Sequence, residues 1–257
     1  MGEKSNLLRG AMMFNDGLTN IEKGEIYFFY RQYIGEEFPE SANDIQHYYM
    51  VLNPDDMHVY RLVLMGRKKT AGRKRAFERV WGSVIRVAET ADHIDAEMHP
   101  KRYENKSREE RRLKAPRLCG NGVYHIIGHG DHTHLAYSIE VPAEQDEITS
   151  QFAVEQEASY ILQVRNPEKP GPMVLGVENA FCPAYPRRLG ELFGQRRFIG
   201  AEEREVLDYE GTGVVMTRGY GQQMIGEPEI EPEVEEAIDE QLISAIRQEA
   251  EHLVGCG

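Results

Sequence analysis

The clearest indication of the fold is the stretch of residues 122–140, GVYHIIGHGDHTHLAYSIE. Two runs rich in aromatic and branched apolar residues flank Gly-His-Gly-Asp at 128–131, and glycine and aspartate are typical of tight turns. The stretch therefore predicts a β-hairpin. With a turn over 128–131 we expect paired positions to sum to 259, which places Ile127 opposite His132 and His125 opposite His134.

Similar strand-like segments occur on both sides of this hairpin. Each is rich in aromatic and branched apolar residues and is bounded by turn-forming or basic residues. They are 25–34, 45–53, 58–67, 79–88, 150–155, 158–166, 173–177 and 206–217. Their close succession favours an antiparallel sandwich or barrel over alternating strand and helix units. We predict a mainly β fold of about 8–10 strands, with both architectures open. Short helices are predicted at 107–114 and 185–198.

The C-terminal segment changes from a strand pattern to a helical one. Between 233 and 254, apolar residues recur at helical spacing, with Pro232 suited to the first helical position and Gly255 just past the end. This amphipathic helix either docks on the sheet or pairs with another subunit, which would make the protein a homo-oligomer. The patterns divide the chain into a leader at 1–23, a β-rich domain at 24–218 and an acidic C-terminal helix at 219–257.

The charge of the chain is unevenly distributed. The formal net charge is −13, yet the segment 66–118 holds 16 lysines and arginines against 8 acidic residues. We predict that this segment contacts a polyanion, such as nucleic acid, or an acidic protein. The alternatives are a solvated loop tip and an internal partner for the acidic helix. The densest basic part contains Arg67, Lys68, Lys69, Arg73, Lys74 and Arg75.

The predicted hairpin holds four of the nine histidines. Because alternate residues of a strand share a face, His132, His134 and Glu140 point to one side, and the expected register brings His125 to them. Three imidazoles, with Glu140 or Asp131 as an oxygen ligand or base, form a ligand set for zinc, iron or manganese. We therefore predict a metal site at His125, His132, His134 and Glu140. The alternatives are a solvated hairpin face and a metal-free acid–base role.

Other features narrow the class of protein. Cys119, Cys182 and Cys256 are widely spaced, which predicts reduced, structurally incidental thiols. The longest apolar runs are about five residues, against the roughly 20 that a membrane-spanning helix needs, so we expect no membrane partner. The first residues lack the features of an export signal, so we expect a cytoplasmic protein. No nucleophile elbow, phosphate-binding loop or dinucleotide-binding motif occurs.

Four segments in a fixed order resemble an uncharacterised family found in prokaryotes and fungi, whose fungal members are sometimes labelled BTB-domain transcription factors. The segments are EIYFFYR at 25–31, HLAY at 134–137, ASYILQVRNP at 158–167 and LDYEG at 207–211. The resemblance covers about residues 22–212 and implies neither an activity nor a site. It does imply that His134, within its Leu-Ala-Tyr context, belongs chiefly to the fold.

Three functional hypotheses follow. The first is a non-enzymatic binding or regulatory protein that uses the basic segment 66–118. The second is a metal-dependent enzyme, a hydrolase or dioxygenase-like protein, at the histidine-rich hairpin. The third is a structural subunit that assembles through the C-terminal helix.

Overall fold

The computed structural model describes residues 18–35, 39, 42–66, 79–99, 102–104, 110–112, 114–130, 132–140, 154–169, 182–218 and 240–247. The strands are β1 Leu18–Gln32, β2 Ile45–Pro54, β3 Tyr60–Met65, β4 Arg79–Ala88, β5 Arg102–Glu104, β6 Glu110–Arg112, β7 Arg117–His129, β8 His132–Glu140, β9 Glu157–Arg165, β10 Phe198–Ile199 and β11 Gly213–Arg218. The helices are α1 Ala91–Met98, α2 Arg187–Phe193 and α3 at 240–247. Short 3-10 helices span Ala42–Asp44 and Arg204–Leu207.

Eight of the strands form a closed antiparallel barrel. Their order is β1, β2, β3, β4, β11, β9, β8, β7, and β7 pairs back with β1. β10 pairs with β9 beside the barrel, and β5 and β6 pair with each other in a separate sheet. The prediction of a mainly β fold with a C-terminal helix is confirmed, and the architecture is a barrel. Each of the eight strands therefore pairs with a neighbouring strand on both of its sides.

The barrel interior is filled by alternate side chains of its strands. Inward-facing residues include Phe28 of β1, Met50 of β2, Tyr137 of β8 and Tyr160 of β9, all at most 3% exposed. The gap that remains among these side chains is about the size of one water molecule. A typical small-molecule ligand does not fit in this gap.

One end of the barrel interior is closed by buried charges. The side chains of Glu22 and Arg61 are both fully buried, and Arg61 Nη1 donates a hydrogen bond to Glu22 Oε1 at 2.5 Å. Arg61 Nε also donates to Asp208 Oδ1 at 2.6 Å, and the Tyr124 hydroxyl donates to Glu22 at 2.6 Å. Burial opposes the charge on Arg61, but the two carboxylates outweigh it and raise the pKa of the guanidinium above its ordinary value.

The same charges explain an error in the predicted boundary of the leader. β1 begins at Leu18, so residues 18–23 belong to the barrel and not to a leader. The first part of β1 lacks a clear apolar alternation because its inward-facing residue Glu22 is charged, and its partner Arg61 is distant in sequence. The pattern of apolar residues therefore predicts a start at residue 25, whereas β1 begins at Leu18.

α1 packs on the outer face of the sheet formed by β2, β3 and β4. Ile94 and Met98, one helical turn apart, are buried in a cluster with Tyr49, Leu62 and neighbouring apolar residues. The prediction of a helix at 107–114 is wrong for residues 110–112, which the structure describes as strand β6. That segment has no apolar stripe at helical spacing, so its charged residues gave no reliable helix signal.

Several other predicted elements lie partly or wholly beyond the described ranges. These are the strand at 173–177, most of the strand at 150–155, and residues 233–239 and 248–254 of the C-terminal helix. Within that helix, α3 occupies 240–247, as the apolar spacing predicts. Among the helices that the structure describes, none combines the length and apolar character needed to cross a membrane.

Candidate metal site

The hairpin of β7 and β8 turns more tightly than the sequence analysis predicts. Directly opposed positions sum to 261 and not to 259: the pairs are His129 with His132, Ile127 with His134, and His125 with Ala136. Only positions 130 and 131 connect the strands, and Gly130 has a φ of +58°, a left-handed value typical of two-residue hairpin turns. A shift of two positions keeps every side chain on its predicted face but changes its neighbours.

Three histidines meet on the outer face at this end of the hairpin. His129, His132 and His134 each offer one ring nitrogen, and these three atoms all lie within 4.8 Å of one another. The ring centroids are 5.3 Å apart for His129 and His132, and 5.0 Å apart for His132 and His134. A tetrahedral zinc ion holds its nitrogen ligands about 3.4 Å apart, so the three ring nitrogens would have to approach one another by up to about 1.4 Å to share one ion.

The histidine group is shielded from solvent. His132 and His134 are 3% and 0% exposed, and His129 is partly buried. Beside them, Leu242 and Ile246 of α3 form a buried cluster with residues of the hairpin. These contacts of α3 agree with the interpretation that the C-terminal helix docks on the sheet.

A serine on the neighbouring strand contacts one of the rings. Ser159 of β9 is 4% exposed, and its Oγ lies 3.4 Å from Nδ1 of His134. With a proton on Nδ1, His134 donates to this oxygen and presents the Nε2 lone pair as the ligand. A hydrogen bond from the second ring nitrogen is the usual way in which proteins orient a metal-binding histidine.

Comparison with known proteins does not assign the chain to a family. No family model, curated protein or solved structure matches the chain. The resemblance noted from its four segments stays a prediction, and the case for function rests on the site itself.

The structure rearranges the predicted ligand set. It brings His132 and His134 together, but their third partner is His129, whereas His125 pairs with Ala136 and lies outside the three-histidine group. His125 is nonetheless on the same face and 2% exposed. Glu140 is exposed at the far end of β8, about 26 Å along the strand from His132, so it cannot share an ion with the group.

The predicted polyanion-binding residues Arg67, Lys68, Lys69, Arg73, Lys74 and Arg75 lie outside the described residues. Elsewhere in the basic segment, Arg86 forms an ion pair with Glu210 at 3.3 Å. Lys114 and Arg117 are exposed before and at the start of β7. The basic surface therefore stays a prediction.

Cys119 is not a reactive thiol in this structure. It is fully buried in β7, where its Sγ donates to the Phe28 carbonyl at 3.4 Å. Burial raises the pKa of the Cys119 thiol to about 12, so it stays protonated near neutral pH. A free, buried Cys119 agrees with the prediction of a reduced thiol.

His129 and Ser159 belong to the site but are not among the predicted site residues. His129 could have been found, because Gly-Asp between two strands is a signal for a two-residue turn, and that turn pairs His129 with His132. Ser159 gave no comparable signal, because its contact with His134 depends on the pairing of β8 with β9.

Proposed function

We propose that this protein binds a divalent transition-metal ion, with zinc as the first choice, through His129, His132 and His134. The observation that carries the proposal is the convergence of three ring nitrogens within 4.8 Å on two paired strands. A barrel hairpin holds these positions in one register, so the ligands are largely organised before the ion arrives.

The ligand types support the choice of metal. Imidazole nitrogen suits zinc, copper, iron and nickel, whereas manganese prefers oxygen ligands. Within the described residues the group contains three histidines and no carboxylate. Three imidazole ligands favour zinc or iron over manganese, and on a tetrahedral ion they leave one position for water or another ligand. Asp131, predicted above as an oxygen ligand or base, lies outside the described residues.

The surroundings favour a structural or regulatory metal over a catalytic one. His132 and His134 are almost completely buried, and α3 packs on the same face. A catalytic metal site needs a path by which substrate reaches the open position. We therefore retain a non-enzymatic role, in which metal binding sets the state of the protein, ahead of the hydrolase or dioxygenase-like alternative.

The test is the metal content of protein purified without a histidine tag. We expect about one zinc ion per chain in the parent and almost none in a His132→Ala, His134→Ala double variant. A His58→Ala, His93→Ala variant, which changes two exposed histidines, serves as the matched control and retains the ion. A parent that takes up no zinc, iron, copper or nickel under reconstitution would refute the proposal.

A further inference from the structure

The docking surface of α3 and the three-histidine group share the same short part of the hairpin. α3 buries Leu242 and Ile246 against Ile127 of β7 and Ala136 of β8. Ile127 is directly opposite His134, and Ala136 is the next residue on the same face of the strand. The residues that receive the helix are therefore immediate neighbours of a proposed metal ligand.

Among the described residues, α3 contacts the barrel through an apolar cluster and an ion pair. Its buried apolar contact is made by Leu242 and Ile246 together with Ile127 and Ala136, with Leu18 and Val123 packed at the edge. Its polar contact with the barrel is from Arg247 Nε to Glu157 Oε1 at 2.8 Å. A short helix packed on the outside of a barrel opens more readily than the barrel core, so its docking responds to modest changes next to it.

We infer that metal binding and the docking of α3 are coupled, so that the C-terminal helix is a metal-responsive element. This inference rests on the proposed function. A bound ion fixes the ring of His134 and with it the surface beside Ile127 and Ala136 on which the helix lies. The docked helix in turn keeps water from the site, where a lower local dielectric strengthens the bonds between the ion and its ligands.

Thermodynamic coupling between metal binding and helix docking must be reciprocal. If the metal ion favours the docked helix by some factor, the docked helix must favour the metal ion by the same factor. Loss of the ion then releases α3 and exposes two apolar surfaces: Leu242 and Ile246 on the helix, and Ile127 and Ala136 on the barrel. Metal occupancy would thereby control whether this face is open to a partner.

The first measurement is amide hydrogen exchange of residues 240–247 in the full chain, with zinc added and with zinc removed by a chelator. We expect exchange in α3 to slow by about tenfold with zinc in the parent. The His132→Ala, His134→Ala variant should show no such change. Exchange in β2 and β3 reports whether each variant keeps its barrel.

The second measurement is zinc affinity in variants of the helix. A Leu242→Ser, Ile246→Ser variant should bind zinc about tenfold more weakly than the parent. A Gln241→Ser variant, changed at an exposed position of the same helix, should bind as the parent does.

The outcomes separate the two proposals. Stoichiometric zinc binding with unchanged exchange in α3, or with unchanged affinity in the Leu242→Ser, Ile246→Ser variant, overturns the coupling and leaves the proposed function standing. A parent that binds no metal at all overturns both.

Discussion

His129 and His132 form a directly opposed pair across the β7–β8 hairpin, with ring centroids 5.3 Å apart and ring planes at 85°. Only two residues separate them in the chain, so the tight turn itself creates the contact. His134 joins the pair because it is the next residue of β8 on the same face. The geometry of one turn thus assembles the three-histidine group.

The first prediction distinguishes the two possible third ligands. His129→Ala should reduce zinc affinity by about 100-fold or more, because it removes one of three ligands. His125→Ala changes a histidine on the same strand and face and should leave zinc binding within about threefold of the parent. Isothermal titration of both variants checks this. Equal losses in the two variants would contradict the observed register.

The second prediction concerns the buried charges at the barrel end. Arg61→Met should destabilise the protein by about 3–5 kcal/mol, because the buried Glu22 loses both hydrogen bonds from Arg61 and is left with the longer ion pair with Arg204, at 3.9 Å. A Glu22→Gln, Arg61→Met double variant removes both charges and should lose less than half as much stability. Urea unfolding measures both. If the double variant were as unstable as Arg61→Met, the loss of stability would not come from an unbalanced buried charge.

The third prediction is a pH dependence of α3 docking. Hydrogen bonding and charge from Arg247 lower the pKa of Glu157 below its ordinary value of 4.5. A carboxyl whose pKa is lowered by folding adds stability above its unfolded pKa and loses it as the pH falls through its folded pKa. In metal-free protein at neutral pH, α3 should exchange its amides faster in Glu157→Gln than in the parent.

That difference should shrink as the pH falls below 4.5, because the parent's carboxyl then becomes neutral as well. Histidine protonation affects parent and variant alike, so the comparison isolates Glu157. A difference that persists unchanged into acid would assign the effect to packing and not to the ion pair.

The fourth prediction concerns a glycine where two strands approach closely. A Cβ on Gly122 of β7 would collide with the main-chain carbonyl of Ser138 on β8, which cannot move aside as a flexible side chain can. Gly122→Ala should therefore destabilise the barrel by about 1–3 kcal/mol. Gly190→Ala in α2 meets open space and should stabilise by about 0.5–1 kcal/mol. Thermal unfolding of the two variants provides the comparison.

The fifth prediction concerns the basic segment 66–118. If it contacts a polyanion, the protein should bind RNA or DNA with an affinity that falls steeply as salt rises. Replacing Arg73, Lys74 and Arg75 by glutamine should weaken binding. The slope of log affinity against log salt concentration should become shallower by about the contribution of three phosphate contacts. Replacing Arg187, Arg188 and Arg196, which are exposed elsewhere on the chain, is the control. Absence of binding in the parent would remove this hypothesis.

Parts of the fold could be predicted from local pattern because strands and helices bury alternate or periodic side chains. β4 was predicted with both ends at the residues observed, and β2 differs by one residue at its end. The apolar spacing of Leu242 and Ile246 likewise predicted a helix and its buried face. These features depend on residues a few positions apart, which a single sequence displays directly.

Other features cannot be predicted because residues far apart in the chain decide them. The start of β1 was missed because Glu22 is stabilised in the interior by Arg61, 39 positions away in the chain. Barrel and sandwich could not be separated, because closure depends on β7 pairing with β1 and on β4 pairing with β11. Side-chain alternation is the same in both architectures and carries no signal for closure.

The sequence by itself determined that residues 122–140 form a hairpin with its histidines on one face, because alternation depends only on local order. The tertiary structure decided which of them meet. The two-residue turn sets His129 against His132, the pairing with β9 brings Ser159 to His134, and the docking of α3 covers the face. The register of the hairpin is set locally by its two-residue turn, whereas strand pairing and helix docking join residues far apart in the chain by packing in three dimensions, which the order of residues does not reveal.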